Sequence, residues 1–281
     1  MNQTKKEIAR LSQDIRKIID GNKIDLRDNK EGVLSILKND IHTLASMLTE
    51  QTENSQKEKE LLRDTLADIS HQIKTPLTSM SIMVDLLSDS LTDPAITPQK
   101  QAEFLENIKI SLARTQWLVT ALLKLQKLES GVITFSKEKT SSRSIVELAL
   151  QPLQILLDVK NQTVESDGDI PLFCDKHWTS EALTNIIKNA SEYSPTDGKI
   201  RITVGENPIC TWLSITDAGQ GLTKAQIATL FRRFEGSRSK YGVGIGLPLA
   251  LAIMREQNGD IEVENAEDGG AKFTLKFYKA T

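Results

Sequence analysis

Ser70-His71-Gln72-Ile73-Lys74-Thr75-Pro76-Leu77 lies in a stretch that holds no glycine between Gly32 and Gly131. Around it, Leu62, Leu66, Ile69, Ile73, Met80, Val84 and Leu87 step by three and four, with one position omitted near Pro76. That spacing predicts one long helix over about residues 41–85, with an apolar stripe that needs a partner. His71 follows stripe residue Ile69 by two positions, about 200° around a helix, so it faces away from the stripe. Thr75 and Thr78, at i+4 and i+7, share its face. Pro76 lacks an amide hydrogen and crowds the carbonyl of Gln72, so a bend beside the histidine is expected.

Downstream, SDSLTDPAITPQ (residues 88–99) has two prolines and turns the chain into a second helix over about 100–128, carrying Leu105, Ile108, Leu112, Val119 and Leu122. One hairpin cannot cover both stripes, so the pattern implies a homodimer forming a four-helix bundle. A plain coiled-coil spacer is the alternative that pattern alone leaves open. Upstream, residues 1–64 intermix 12 basic and 12 acidic side chains, the texture of a solvated helical linker. There Ile8 to Ile19, the break IDGNKIDLRDNKEG (residues 19–32) and Val33 to Leu48 read as helix, connector and helix.

The other thirteen glycines begin at Gly131, which places a boundary near Glu129-Ser130-Gly131. Beyond it, ITFSKE, KIRITV, CTWLSIT, DIEVEN and KFTLKFY read as strands. VELALQPLQILLD, WTSEALTNIIKNASEY, LTKAQIATLFRRF and LPLALAIMREQ read as helices, which together suggest an α/β sandwich. The chain has 281 residues, enough for about two domains. Its 35 basic and 38 acidic residues give a net charge of -3, which excludes a chain-wide attraction to nucleic acid. Cys174 and Cys210 stand far apart without zinc-ligand spacing, which argues for a reducing compartment and against structural metal. No stretch has the apolar length of a membrane span, and MNQTKKEIAR lacks the core of a signal peptide, so the chain as given reads as soluble and cytoplasmic.

Three further motifs carry chemistry. In Glu181-Ala-Leu-Thr-Asn185-Ile-Ile-Lys188-Asn189-Ala-Ser-Glu192-Tyr193, the residues Glu181, Asn185, Lys188, Asn189 and Glu192 form a polar face opposite Leu183, Ile186, Ile187 and Ala190. A solvated surface explains such a face equally well, yet two amides one turn apart can also offer oxygen ligands to Mg²⁺ beside phosphates. Asp217-Ala218-Gly219-Gln220-Gly221 follows a strand, which suits a carboxylate accepting an exocyclic amine above a tight turn, or an ordinary turn. Gly242-Val243-Gly244-Ile245-Gly246-Leu247 precedes a helix, where backbone amides can bind phosphate. It lacks the strand of a dinucleotide-binding fingerprint and the lysine of a P-loop.

In this order, with Phe231-Arg232-Arg233-Phe234 between the glycine motifs, the set resembles the transmitter of two-component sensor histidine kinases over about residues 60–281. The upstream pattern resembles a degenerate HAMP relay. The resemblance implies a HAMP-like linker over 1–58, a dimerising phosphotransfer hairpin over 59–131 and a Bergerat-fold ATP-binding domain over 132–281, with a mobile lid between Gly221 and Gly242. It implies ATP and Mg²⁺, with Asn189 as metal ligand. Nucleotide contacts fall on Asn185, Lys188, Asn189, Tyr193, Asp217, Gly219, Gly221, Phe234, Gly242, Gly244, Gly246 and Leu247, with Arg238 or Lys240 as further phosphate partners.

The implied reaction moves the γ-phosphoryl group of ATP to His71, then to an aspartate of a response regulator. Thr75 stands where relatives orient water for dephosphorylating that regulator. A membrane sensor region is implied beyond this chain, placing the whole protein at the inner face of the membrane. Three positions depart from the pattern. Gln72 replaces an acidic proton acceptor and cannot act as a base, which leaves Asp68, at i-3, or solvent. Glu192 replaces a phosphate-facing lysine, and Ala271 replaces a threonine near adenine. These departures keep a scaffold without kinase activity open. A hydrolytic ATPase of the same fold needs a glutamate base where this chain has Asn185.

Overall fold

The computed structural model describes residues 8–13, 15–16, 33–89, 97–234, 244–267 and 269–279. They fall into two compact units, Met1–Ile69 and Ser70–Thr281.

The first unit is helical. A short helical segment covers 8–13, and α1 (Val33–Asp89) begins here. Leu11 is buried, whereas Ile36, Leu37, Leu44, Met47, Leu48, Leu62 and Leu66 are exposed. Thr43, Ser46, Thr49 and Thr52 turn their hydroxyls onto carbonyls one turn back, so these polar side chains are satisfied within the helix. The connector expected over residues 19–32, and with it the middle of the HAMP-like linker, lies outside the described residues.

In the second unit α1 continues unbroken through Pro76. The next helix, α2 (Pro98–Glu129), starts where proline at the first helical position and the Thr97 hydroxyl, accepting from the Lys100 amide at 3.4 Å, favour a start. Leu118, Ala121, Leu125 and Leu128 of α2 are buried, while Leu105, Ile110, Leu112, Val119 and Leu123 are exposed. The buried stripe meets the α/β domain within this chain. The exposed one remains an uncovered hairpin face.

The α/β domain runs β1 (Glu138–Ser141), α3 (Ser142–Leu150), a 3-10 turn (Gln151–Leu153), α4 (Gln154–Val159), β2 (Thr163–Asp167), β3 (Pro171–Cys174), α5 (Lys176–Tyr193), β4 (Lys199–Glu206), β5 (Cys210–Thr216), α6 (Lys224–Thr229), α7 (Gly246–Glu256), β6 (Gly259–Asn265) and β7 (Ala271–Tyr278). The main sheet has the order β2-β4-β5-β7-β6, with β2 parallel to β4 and the other pairs antiparallel; β1 and β3 form a separate ribbon. Along β7 the alternation is strict: Ala271, Phe273, Leu275 and Phe277 point into the core beneath the helices. On the open face Lys272 pairs with Glu264 at 2.9 Å, Lys276 with Glu262, and Lys199 with Glu165 at 2.7 Å. The Lys272 and Lys199 ammoniums hold the Glu264 and Glu165 carboxyls below the ordinary range.

Several elements differ from the sequence reading. ITFSKE is not a strand before Glu138, because β1 pairs only with β3. VELALQPLQILLD splits at Pro152, whose missing amide ends the α-helical ladder. LTKAQIATLFRRF is helical only over α6, opened by a reciprocal capping box between Thr223 and Gln226. Strands β2 and β3 were not expected at all.

Candidate functional site

The α5 helix carries the site. Asp175 caps it, its carboxylate accepting from the His177 and Trp178 amides at 3.0 and 3.1 Å. Leu183, Ile186, Ile187 and Ala190 are completely buried against the sheet. The opposite face is not simply solvated, because both glycine motifs lie against it.

At one end, a side chain on Gly246 would come within 2.9 Å of the Asn185 Oδ1 atom. The α7 N-terminus therefore abuts Asn185, which is only 8% exposed and whose amide donates to the Glu181 carbonyl at 2.9 Å. Its N-cap is Ile245, which has no side-chain oxygen to take the first amides. At the other end, a side chain on Gly219 would meet the Tyr193 carbonyl at 2.9 Å. From Asn185 to Tyr193 is eight residues, about 12 Å along a helix. Asn189 and Glu192, both half-buried, lie between on the same face.

Asp217, 5% exposed, directly follows β5. Its Oδ1 accepts from the Gly219 amide at 2.8 Å and the Ala271 amide at 3.0 Å, so the carboxylate is fixed by backbone. Gly270, at φ +83, passes so close that an added Cβ would stand 2.0 Å from the Asp217 carbonyl. Ser194 supports the same turn, accepting from the Ala218 amide at 3.0 Å. Gln162 in turn donates to the carbonyls of Ser191, Ser194 and Pro195 at the end of α5. The segment after Gly221 is tied to β6 by Asn265, which accepts from the Leu222 amide at 2.7 Å and donates to its carbonyl at 2.8 Å.

Phe234 has φ +65, an unusual conformation for an aromatic residue. Its amide donates to the Gly244 carbonyl at 3.0 Å, and Gly244, at φ +73, leaves no room for a Cβ against the Phe234 backbone. Phe234 and Gly244 are thus joined at the mouth of the segment between them. Gly242, Arg238 and Lys240 lie outside the described residues.

On α1, His71 and Thr75 are exposed, Gln72 is half-buried, and Ile73 packs against the core cluster. His71 thus faces away from the packed side, as its spacing predicts. The Thr75 hydroxyl donates to the His71 carbonyl at 3.1 Å. Asp68, in the first unit, is exposed.

The structure brings Asn185, Asn189, Tyr193, Asp217, Gly219 and Gly246 to one face of α5, with Gly244 and Leu247 beside Gly246. Lys188 is taken up elsewhere: its ammonium stands over the Trp117 ring of α2, 4.9 Å from the centroid. Sequence reading missed Ser194, Gln162 and Asn265. Of these only Ser194, directly before Pro195, had a local turn signal. Among the described residues no group of three or more His, Cys, Asp or Glu could hold a metal, and no helix is long and apolar enough to cross a membrane.

An exposed histidine on a helical hairpin is thus joined to an α/β sandwich whose two glycine motifs abut the two ends of one helix face, the layout of an acceptor module beside a ligand-binding module. Residues 61–131 match the family model of the His Kinase A (phospho-acceptor) domain, and residues 174–281 that of the Histidine kinase-, DNA gyrase B-, and HSP90-like ATPase. The chain is 29% identical over 214 residues to the heme sensor protein HssS of Staphylococcus saprophyticus, covering 75% of this chain and 45% of that protein. It is 23% identical over 270 residues to the signal transduction histidine-protein kinase BaeS of Escherichia coli, covering 93% and 56%. Two solved structures share the fold. The histidine kinase AdeS of Acinetobacter baumannii has a TM-score of 0.61 and 24% identity, covering 75% of this chain and 98% of that one. The histidine kinase ThkA, solved in complex with response regulator protein TrrA, has 0.62 and 20%, covering 83% and 66%. The chain belongs to the sensor histidine kinases of two-component systems. It spans about half the length of the relatives it matches.

Proposed function

We propose that the chain catalyses ATP-dependent autophosphorylation of His71 and passes the phosphoryl group to an aspartate of a response regulator. The observation that carries this reading is the α5 face with the backbone-fixed Asp217 carboxylate at one end and an uncapped helix N-terminus at the other. That span of about 12 Å suits a nucleotide lying along the helix.

The residues present fit this substrate. Asp217, its Oδ1 held by backbone amides, can accept the adenine amino group, and the Ala271 amide serves this pocket whatever side chain it carries. The amides at Gly244 to Leu247 can donate to phosphate oxygens, and Asn189 offers an oxygen ligand for Mg²⁺, which would neutralise phosphate charge. A ring nitrogen of His71 attacks the γ-phosphorus, the bond to the ADP oxygen breaks, and the ring proton leaves to a base. Gln72 cannot take it. Solvent at the exposed ring, or Asp68, assumes that role. Thr75 supports a second activity, dephosphorylation of the regulator. The exposed stripes of α1 and α2 support a homodimeric four-helix bundle, and the sensor named in the relatives supports a sensor region in the whole protein, which we place at the membrane.

Asn185 speaks against a hydrolytic ATPase: its position holds a buried amide bonded to the Glu181 carbonyl, not a carboxylate base. Gln72 and Glu192 favour a scaffold without kinase activity as the second reading. Incubation with γ-labelled ATP and Mg²⁺ separates the two. Acid-labile, alkali-stable label lost in His71→Ala is expected; bound nucleotide without label supports the scaffold.

A further inference from the structure

Three charged contacts join α2 to the ATP-binding domain. Lys188 lies over Trp117, Lys124 pairs with Glu181 at 2.8 Å, and Glu129 pairs with Arg233. The first two share one geometry. Trp117 and Lys124 are seven residues apart on α2, and Lys188 and Glu181 are seven apart on α5, in reverse order. Seven residues rise about 10.5 Å on either helix. The two contacts therefore match in spacing and fix α5 antiparallel to α2, in one register.

That register coincides with the phospho-acceptor. His71 lies 18 residues before Asp89, the last residue of α1, and Trp117 lies 19 residues after Pro98, the first of α2. In a hairpin whose two helix ends are level, these offsets of about 27 and 28.5 Å put Trp117 and His71 at the same level. Ile73 supports this, packing against the buried cluster to which Leu118 belongs. Lys188 immediately precedes Asn189 in the nucleotide site. The contact that holds Lys188 thus sets the height of the phosphoryl donor against the acceptor.

We propose that Trp117 is a positioning residue for phosphotransfer: by holding Lys188 it registers α5, and the nucleotide on it, at the level of His71. The inference rests on the kinase reading above. A cation over a half-exposed ring and an ion pair at a half-exposed site are both weak. They add a register to the apolar contact that Leu118, Ala121, Leu125 and Leu128 make with the domain. Phosphoryl transfer depends chiefly on placement, and a shift of about 1 Å can cost a hundredfold in rate.

The test measures the autophosphorylation rate at saturating Mg-ATP and, separately, the Kd of a non-hydrolysable ATP analogue by calorimetry. Trp117→Ala is expected to slow labelling about tenfold or more while the analogue Kd moves less than about threefold. Trp117→Phe, which keeps an aromatic face, retains most of the rate. Lys124→Glu and Glu181→Lys are each slow alone and recover together. An unchanged or faster rate in Trp117→Ala overturns the proposal, the faster one marking the contact as a restraint. A slower rate with equally weakened analogue binding, or one Trp117→Phe does not recover, reduces Trp117 to a structural residue and also overturns it. If the unsubstituted protein leaves His71 unlabelled, the kinase reading fails and this proposal with it. Labelling that is insensitive to Trp117 removes the proposal alone.

Discussion

Gly246→Ala separates the site from the fold that carries it. Gly246 is the first residue of α7, and its φ lies outside the region that favours glycine, so the backbone accepts alanine. At a helical position alanine is favoured over glycine by up to about 1 kcal/mol. Opposing this, the new methyl group would stand 2.9 Å from Asn185 Oδ1 and 3.5 Å from its Cγ. The buried amide must rotate off its rotamer, at about 0.5–1.5 kcal/mol, and strain its bond to the Glu181 carbonyl. The two effects nearly cancel, so denaturant-measured stability should change by less than about 1 kcal/mol. Nucleotide affinity has no such compensation. The methyl group enters the space between α7 and α5, and losing one charge-assisted bond to phosphate costs about 1.5–3 kcal/mol, some ten- to hundredfold in Kd. Calorimetric titration with a non-hydrolysable analogue, beside urea unfolding of the apo protein, reads both quantities. An analogue Kd within threefold of the original would refute the placement of phosphate at this helix end.

Three other outcomes are expected. Gly270→Ala places a Cβ 2.0 Å from the Asp217 carbonyl at φ +83. It should destabilise the domain by more than about 3 kcal/mol in urea unfolding, with nucleotide binding lost only as folding is lost. Asp169 accepts from the hydroxyls of Ser141 and Ser142 and the Arg143 amide at the start of α3. The Ser141 hydroxyl first, then the Arg143 amide, hold its carboxyl below the ordinary 3.8. Because the folded value is depressed, the stabilisation is complete above 3.8 and is lost as pH falls below it. Asp169→Asn should therefore flatten the acid limb of a stability-against-pH curve and leave its slope near neutrality unchanged. Finally, Leu105 and Leu112 are exposed on α2 at 47% and 48%. Replacing both by glutamate should convert a dimer to a monomer in light scattering while preserving analogue binding; a dimer that persists would place the interface elsewhere.

Long-range chemistry was more legible in the sequence than edge structure. The step of Leu62 to Leu87 and the position of His71 relative to Ile69 gave the helix and its exposed face, because helical periodicity is local. Strand β2, TVESD, was invisible: four of its five residues are exposed, and its parallel partner β4 lies 36 residues away. β3 begins with proline and buries only Leu172 and Cys174, too short a pattern to stand out. The run to Phe234 looked helical because propensity cannot register an aromatic residue held at positive φ by its bond to Gly244. The glycine motifs were recognisable as motifs. Their attachment to the two ends of one helix face, and the burial of Asn185, arise from tertiary packing. Lys188 illustrates the limit, since its place on the polar face of α5 was correct while its partner, Trp117, sits 71 residues away.

The chain has three histidines, His42, His71 and His177, so a phosphoryl group on one of them can be localised directly. After incubation with Mg-ATP, digestion and tandem mass spectrometry at neutral to alkaline pH should find the phosphoryl group on the peptide containing His71 and on that ring. It should accumulate in step with ADP release and drain when a cognate receiver domain is added. Phosphoryl on His42 or His177, or ADP and free phosphate with no modified peptide, would contradict the account.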